Sequence, residues 1–194
     1  MKKIELSLLA GLIISILLSS VGTFAADCEE IRDHMLRLHI LANSDSTEDQ
    51  HLKMLVRDAV VETAGQFSET ADTDREDLLR EIEETAEHTL RINGSSHAVR
   101  AEYTKMYFEA RQYGDYTLPA GEYNTVQIKI GEAAGQNWWC VLYPPLCLPA
   151  ASGPAILEEE LTEEEIQILE SPEKYEVRFL LVDWLDTICQ KLLG

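Results

Sequence analysis

The chain has 194 residues and carries 16 Lys or Arg against 35 Asp or Glu, so its formal net charge is −19. Because nucleic-acid phosphates are bound by clustered cations, this charge argues against DNA or RNA as a partner. With 45% hydrophobic and 26% charged residues, the composition is that of a folded protein with one domain of ordinary size rather than of a disordered chain.

The first 25 residues have the layout of a secretory signal peptide. Two lysines precede an apolar run at residues 6–18, and small residues follow at Thr23 and Ala25. The run is shorter than the roughly 20 residues that span a bilayer. We therefore predict cleavage after Ala25, with an uncleaved membrane anchor as the alternative. Residues 26–194 then form a single extracytoplasmic domain.

Four cysteines lie outside the signal segment, at Cys28, Cys140, Cys147 and Cys189. In an oxidising compartment an even number of cysteines is typical of disulfides, and four allow three pairings. We favour Cys140 with Cys147, because the short loop between them costs little entropy to close. Cys28 and Cys189 would then join the two ends of the domain.

A strand and a helix are the first predicted elements of the domain. Residues 35–42 alternate apolar side chains with Arg37 and His39, which predicts a strand with one buried face. Residues 43–46 are turn formers, and apolar residues then recur at helical spacing up to Thr63. Ser46 and the residue three positions later have the spacing of a capping box.

A second helix and three strands follow. Apolar residues at helical spacing predict a helix that ends at Asn93-Gly94. Alternating residues predict strands at 99–107 and 125–130. The run at 138–143 is apolar throughout, which predicts a central strand, covered on both faces and paired as a hairpin with the strand before it.

The C-terminal part is predicted to contain an acidic segment and a last helix. Residues 156–170 include seven Glu and predict a solvated helix or excursion. Residues 172–193 carry a clear apolar stripe that predicts a helix packed on the sheet. The element order predicts an α+β fold, with a mostly antiparallel sheet of about four strands and helices packed on one face.

Sequence motifs for catalysis are missing. The chain has no nucleophile elbow, zinc-protease helix, phosphate loop or dinucleotide fingerprint, and its five histidines are scattered. We therefore expect no cofactor, no metal and no enzymatic activity. The alternative is a secreted hydrolase of cell wall or peptide that uses Cys140 with His97, although a structural disulfide suits Cys140 better.

Two adjacent tryptophans begin the apolar run at 138–143. Because neighbouring residues of a strand point to opposite faces, Trp138 and Trp139 are predicted on opposite sides of the sheet. Both then belong to the core, unless the strand end is open and one indole is an exposed anchor for a partner.

Three segments resemble the stage II sporulation protein R family of endospore-forming bacteria. They are LRLHILANSDSTEDQHLKMLVRDAVV from Leu36, LPAGEYNTVQIKIGE from Leu118, and NWWCVLYPPLC from Asn137. The resemblance implies a signalling protein that is secreted from the forespore into the space between forespore and mother cell. Its implied partner is a membrane-bound aspartic protease of the mother cell, stage II sporulation protein GA, which processes the sigma-E precursor.

The matching segments supply candidate partner-binding residues in a turn, the helix after it and the aromatic strand. These candidates are Asn43, Ser44, Asp45, Asp49, Gln50, Arg57, Asp58, Asn137, Trp138 and Trp139. Helix capping is the alternative role for the turn residues. The resemblance also covers Cys140 and Cys147, whereas the long acidic C-terminal part departs from the family pattern.

Overall fold

The computed structural model describes residues 2–64, 75–144, 146 and 161–171. The helices are α1 Lys2–Asp33, α2 Thr47–Ala64, α3 Arg75–Ile92 and α4 Glu163–Glu170. The strands are β1 Leu36–Leu41, β2 Val99–Phe108, β3 Arg111–Tyr113, β4 Tyr116–Leu118, β5 Gly121–Ile130 and β6 Asn137–Tyr143. The predicted C-terminal helix at 172–193 lies outside the described residues, as do Cys147 and Cys189.

Most predicted elements within the described residues are confirmed. α3 ends at Ile92, and Gly94 after it has a φ of +82°, the left-handed conformation expected beyond a helix end. The short hairpin of β3 and β4 was not predicted. It turns at Gly114, whose φ is +60°, and three-residue strands are too short to give a periodic pattern.

The main sheet has the strand order β2-β5-β1-β6. β1 is parallel to β5 and antiparallel to β6, and β2 is antiparallel to β5. The predicted hairpin of β5 with β6 is therefore wrong, and the sheet is mixed. β1 lies between the two strands because their connection, residues 131–136, is long enough to pass over one strand, about 10 Å. β6, predicted as central, lies at the end of the strand order.

One face of the sheet is covered by α2 and α3. Apolar side chains from both helices and from the four strands form a continuous core there. Its fully buried members include Leu38, Val56, Ile82, Ile128 and Cys140. This layer agrees with the predicted packing of the amphipathic helices against a sheet.

The second face of the sheet is also covered, by the C-terminal half of α1 and by α4. Phe24, Ile31 and Ile168 are buried there beside Tyr123 of β5. The prediction of helices on one face is therefore wrong, while the α+β class is confirmed. β1 is consequently buried on both sides, and the polar residues of its predicted solvated face are enclosed.

α1 continues without a break through the predicted cleavage position. The long apolar side chains near its start, such as Leu6 and Leu12, are exposed, whereas Phe24 and Cys28 are buried against the domain. Among the described residues, no helix combines the length and the apolar character required to cross a bilayer. Cleavage after Ala25 stays a prediction.

α4 belongs to the predicted acidic segment. Thr162 caps it: its hydroxyl accepts from the Glu165 backbone N–H, and the Glu165 carboxylate accepts from the Thr162 backbone N–H. Glu163 and Glu164 are exposed, whereas Leu169 is buried. The helix is therefore solvated on one side and packed on the other.

Candidate interaction surface at the end of the sheet

The predicted partner-binding residues come together where β1 ends and β6 begins. The turn at residues 43–46 leads from β1 into α2, and the crossover loop, residues 131–136, passes over this turn into β6. We define the end-of-sheet surface as residues 43–50, the crossover loop, Asn137 and Trp138. Three further candidates lie beside this surface: Arg57 and Asp58 on α2, and Trp139 on β6.

Hydrogen bonds fix the crossover loop to the turn. The backbone N–H groups of Ala134 and Gly135 donate to the carbonyls of Asn43 and Ala42, at 3.2 and 2.9 Å. The side-chain oxygen of Asn43 accepts from the Glu132 backbone N–H at 3.0 Å. These bonds hold two segments that are distant in sequence in one arrangement.

A second side chain of the turn also binds the crossover loop. Asp45 Oδ1 accepts from the Gln136 backbone N–H at 2.7 Å. Asp45 and Gln136 are themselves exposed, so this contact lies at the solvent edge of the surface. The predicted candidates Asn43 and Asp45 thus have structural partners within the chain.

Two glycines allow this close approach. Gly131 has a φ of +54°, and a Cβ there would collide with the side chain of Asn43. A Cβ on Gly135 would collide with the backbone carbonyl of Ser44. Both positions therefore require glycine, Gly131 because of its positive φ and the Asn43 side chain, and Gly135 because of the Ser44 backbone.

Asp49, on the first turn of α2, accepts hydrogen bonds from side chains of the turn at residues 43–46. Its Oδ2 accepts from Ser44 Oγ at 2.5 Å and from Asn43 Nδ2 at 2.8 Å, and its Oδ1 lies 3.3 Å from His97 Nε2. Two hydrogen bonds lower the pKa of Asp49, the one from Ser44 more than the one from Asn43. Both favour the ionised carboxylate.

The predicted capping box is half confirmed. Ser46 Oγ accepts from the Asp49 backbone N–H at 3.1 Å, as an N-cap does. The Asp49 side chain, however, turns back to Ser44 rather than to the Ser46 backbone. The Ser46 backbone N–H donates instead to Ser44 Oγ at 3.2 Å. Asp49 thus has a structural role beside the turn. Its role in partner binding stays a prediction.

The sequence pattern does not indicate the role of Lys53. Although Lys is normally exposed, Lys53 is only 4% exposed. Its Nζ donates to Gln50 Oε1 at 2.7 Å and to the Gln136 carbonyl at 2.9 Å, and Gln50 Nε2 donates to the Ser44 carbonyl at 2.9 Å. Burial lowers the pKa of Lys53. Its helical position gave no sign of this, because the contact depends on a loop distant in sequence.

The two tryptophans lie on opposite faces of the sheet, as predicted, and both are half-buried. Trp138 packs against the α2–α3 core, with the Arg57 guanidinium 4.7 Å from its ring centroid. Arg57 in turn forms an ion pair with Asp58 at 2.5 Å. The Arg57 guanidinium, on α2, thus makes a cation–π contact with the indole of Trp138.

Trp139 stacks on His39 across the other face, with ring centroids 3.6 Å apart and an interplanar angle of 10°. His39 Nε2 lies 2.8 Å from Asn137 Oδ1, and Nδ1 lies 2.9 Å from Gln127 Nε2. This pattern requires the neutral ring with its proton on Nε2. Burial lowers the pKa of His39, which favours the same neutral form.

The hydrolase alternative finds no support in the geometry. Cys140 is fully buried and disulfide-bonded, and its partner lies outside the described residues, so the pairing with Cys147 stays a prediction. His97 contacts Asp49. A reactive cysteine requires an accessible thiolate, which a buried half-cystine does not provide. Within the described ranges, no cluster of three or more His, Cys, Asp or Glu is arranged to hold a metal ion.

The fold and the surface define an α+β domain whose candidate contact residues lie at one end of its sheet. The family model described as Stage II sporulation protein R matches residues 32–152. Stage II sporulation protein R of Bacillus subtilis (strain 168) is 36% identical over 186 residues, which cover 81% of this chain and 83% of that protein. No solved structure matches the chain.

The chain therefore belongs to the stage II sporulation protein R family. This confirms the resemblance seen in the three sequence segments. Membership supports a role in sporulation. The family match covers the turn, the crossover loop and both tryptophans, since all lie within residues 32–152.

Proposed function

We propose that this protein is an exported signal of endospore formation that activates a membrane-bound protease by direct contact. The receptor is the aspartic protease of the mother cell, stage II sporulation protein GA, which then cleaves the sigma-E precursor. The signal acts in the space between forespore and mother cell. Family membership supports the sporulation role, and the observation that carries the contact mechanism is the hydrogen bonding between the turn and the crossover loop of the end-of-sheet surface.

Rigidity matters because a signal of this kind must distinguish two states of its receptor. A ligand shifts an equilibrium only by the difference between its affinities for the two states. A surface that is already ordered loses little conformational entropy on binding. The bonds from Asn43 and Asp45 to the crossover loop order the end-of-sheet surface before it meets the receptor.

Side chains outside these bonds supply the contact. Glu132, Gln136 and Asn137 are exposed on the crossover loop and at the start of β6, and Glu48 is exposed on the first turn of α2. The surface is therefore polar and acidic, in a chain whose net charge is −19. We propose a basic receptor surface, to which such a ligand is steered electrostatically.

The difference in burial between the start and the end of α1 supports export. Apolar side chains such as Leu6 and Leu12 make no buried contact with the domain, whereas Phe24 packs against it. A segment that is strongly apolar and exposed is typical of a targeting sequence rather than of a folded core. The disulfide at Cys140 is also typical of an oxidising compartment.

Charge reversal on the surface tests the proposal. The chain secreted from an exporting host is titrated against the immobilised outer domain of the protease, and Kd is measured for Glu132→Lys and for Glu122→Lys. Glu122 is also exposed, but it lies at the opposite end of β5. We expect Glu132→Lys to weaken binding about tenfold and Glu122→Lys to leave it unchanged. Absence of binding by the unaltered chain would refute the proposal.

A further inference from the structure

A pocket of about 300 Å³ lies on the second face of the sheet, next to the end of β2. It contains two arginines, one glutamate and three aromatic side chains. The lining residues used below are Arg37, Tyr107, Phe108, Glu109, Arg111 and Trp139. None of them belongs to the end-of-sheet surface.

Arg37, which lines this pocket, has unsatisfied hydrogen-bond donors. It is only 1% exposed, and its Nη2 donates to the Tyr113 hydroxyl at 2.9 Å. Its Nε and Nη1 find no acceptor in the part of the chain that the structure describes. Buried polar groups of folded proteins are normally paired, and an unpaired ionised group is costlier than a neutral one.

Aromatic rings compensate only part of this charge. The Arg37 guanidinium lies 4.1 Å from the ring centroid of Phe108, 5.0 Å from that of Tyr123 and 5.3 Å from that of Tyr113. Ring faces attract a cation, but they do not replace the lone pairs that N–H donors require. Burial lowers the pKa of Arg37, and the positive charge of Arg111 adds to this lowering. The rings therefore leave two N–H donors of Arg37 without an acceptor among the described residues.

We propose that this pocket binds a carboxylate carried on an apolar or aromatic group. The planar fork of arginine matches a carboxylate through two parallel hydrogen bonds. Arg37 and Arg111 against Glu109 give the lining one net positive charge, which suits a monoanion better than a phosphate dianion.

The aromatic walls fit the apolar part of such a ligand. Trp139, Phe108 and Tyr107 line the pocket beside the arginines, and the ring of Trp139 meets that of Phe108 edge to face at 5.2 Å. A few charged groups within apolar walls are typical of sites for small organic ligands. This inference does not depend on the receptor proposal, because the pocket can be tested without the protease.

A matched pair of ligands provides the test. N-acetylphenylalanine and its amide share the same apolar part, but the carboxylate of the acid is a neutral carboxamide in the amide, and both are titrated into the full chain. The readout is the indole N–H resonance of Trp139, assigned by its loss in Trp139→Phe. The acid is expected to shift this resonance saturably and the amide is not. No shift with either ligand, or equal shifts with both, would overturn the proposal.

Three variants separate the arginine effect from a general loss of folding. Arg37→Met keeps the contact with the rings and removes the fork, and Arg111→Gln changes an exposed side chain. Each is expected to weaken binding of the acid by about tenfold, whereas Arg80→Gln, on the opposite layer, leaves it unchanged. If Arg37→Met does not fold, Arg111→Gln decides, and wild-type affinity in that variant contradicts the site.

Two further ligands identify the source of the carboxylate. Acetate and a pentapeptide that ends in phenylalanine are compared with N-acetylphenylalanine. Tighter binding of the peptide assigns the site to the C-terminus of a polypeptide, and equal binding assigns it to small organic acids. Either result supports a carboxylate site.

Discussion

Asn43 joins the two halves of the end-of-sheet surface through one short side chain. Its Nδ2 donates to Asp49 on α2, and its Oδ1 accepts from the Glu132 backbone in the crossover loop. An amide offers a donor and an acceptor on the same group, so it can bridge a carboxylate and an N–H. Gly131 leaves the space that this bridge occupies.

Substitution of Gly131 tests this packing. Gly131→Ala is expected to lower the free energy of unfolding by about 3 kcal/mol, because backbone strain at positive φ adds to a collision with Asn43. Gly114→Ala is the matched control: its φ is +60° and its Cβ would meet no atom within 4 Å, so only strain of about 1 kcal/mol remains. Urea denaturation measures both. Equal losses would contradict the close contact.

Asp49 should make stability depend on pH. Its pKa is lowered from the ordinary value of 3.8 by hydrogen bonds from Ser44 and Asn43. A carboxylate with a lowered folded-state pKa contributes stability above its unfolded pKa and loses it as the pH falls through the folded value. The stability difference between wild type and Asp49→Asn is therefore expected to shrink as the pH falls below 3.8.

Ser44→Ala provides the control for this titration. It keeps the carboxylate and removes the donor 2.5 Å away, so the acid dependence is expected to be weaker than in wild type. Denaturation curves from about pH 6 to about pH 2 follow the loss of this stability below the ordinary pKa of Asp. An identical slope in Ser44→Ala and wild type would show that this hydrogen bond does not hold the pKa down.

At the scale of elements, periodicity predicted which segments are strands and helices but not how the strands are arranged. In β1, Arg37 and His39 alternate with apolar residues and so indicate a solvated face. Both are buried, because the ring faces of Phe108 and Trp139 cover them. Partners that distant in the chain leave no mark on the local pattern.

The prediction that β5 pairs with β6 is wrong for a related reason. Consecutive strands joined by a short loop usually pair, and this favoured a hairpin of β5 with β6. β1 instead occupies the position between them, and Gly135 allows the loop to pass over its end. The sequence resemblance indicates the candidates Asn43, Ser44, Asp45, Asp49, Gln50, Asn137, Trp138 and Trp139. Their contacts, and the roles of Lys53 and Arg37, depend on the fold.

Removal of an apolar contact tests whether α4 packs on the second face. Leu169 is fully buried, so Leu169→Ala is expected to lower the free energy of unfolding by about 3 kcal/mol. Gln167→Ala, on the exposed side of the same helix, should change it by less than about 0.5 kcal/mol. Thermal denaturation compares them. Equal small effects would show that α4 is not part of the core.

At the scale of the whole molecule, the two proposed sites lie in different places and have opposite character. The end-of-sheet surface is acidic and exposed, with Asp45, Glu48 and Glu132 at its edge. The pocket beside Arg37 and Arg111 is partly open to solvent, and its lining carries one net positive charge. A chain with a net charge of −19 can therefore meet a basic receptor on one side and hold an anion on another, and variants at one site should leave the other unaffected.

Proteolysis of the sigma-E precursor is the most direct measurement of the central claim. The membrane-bound protease is reconstituted in vesicles with its precursor inside, and the secreted chain is added from outside. We predict that the chain stimulates cleavage, that Glu132→Lys reduces this stimulation, and that Glu122→Lys does not. Cleavage at the same rate with and without the chain would contradict the account.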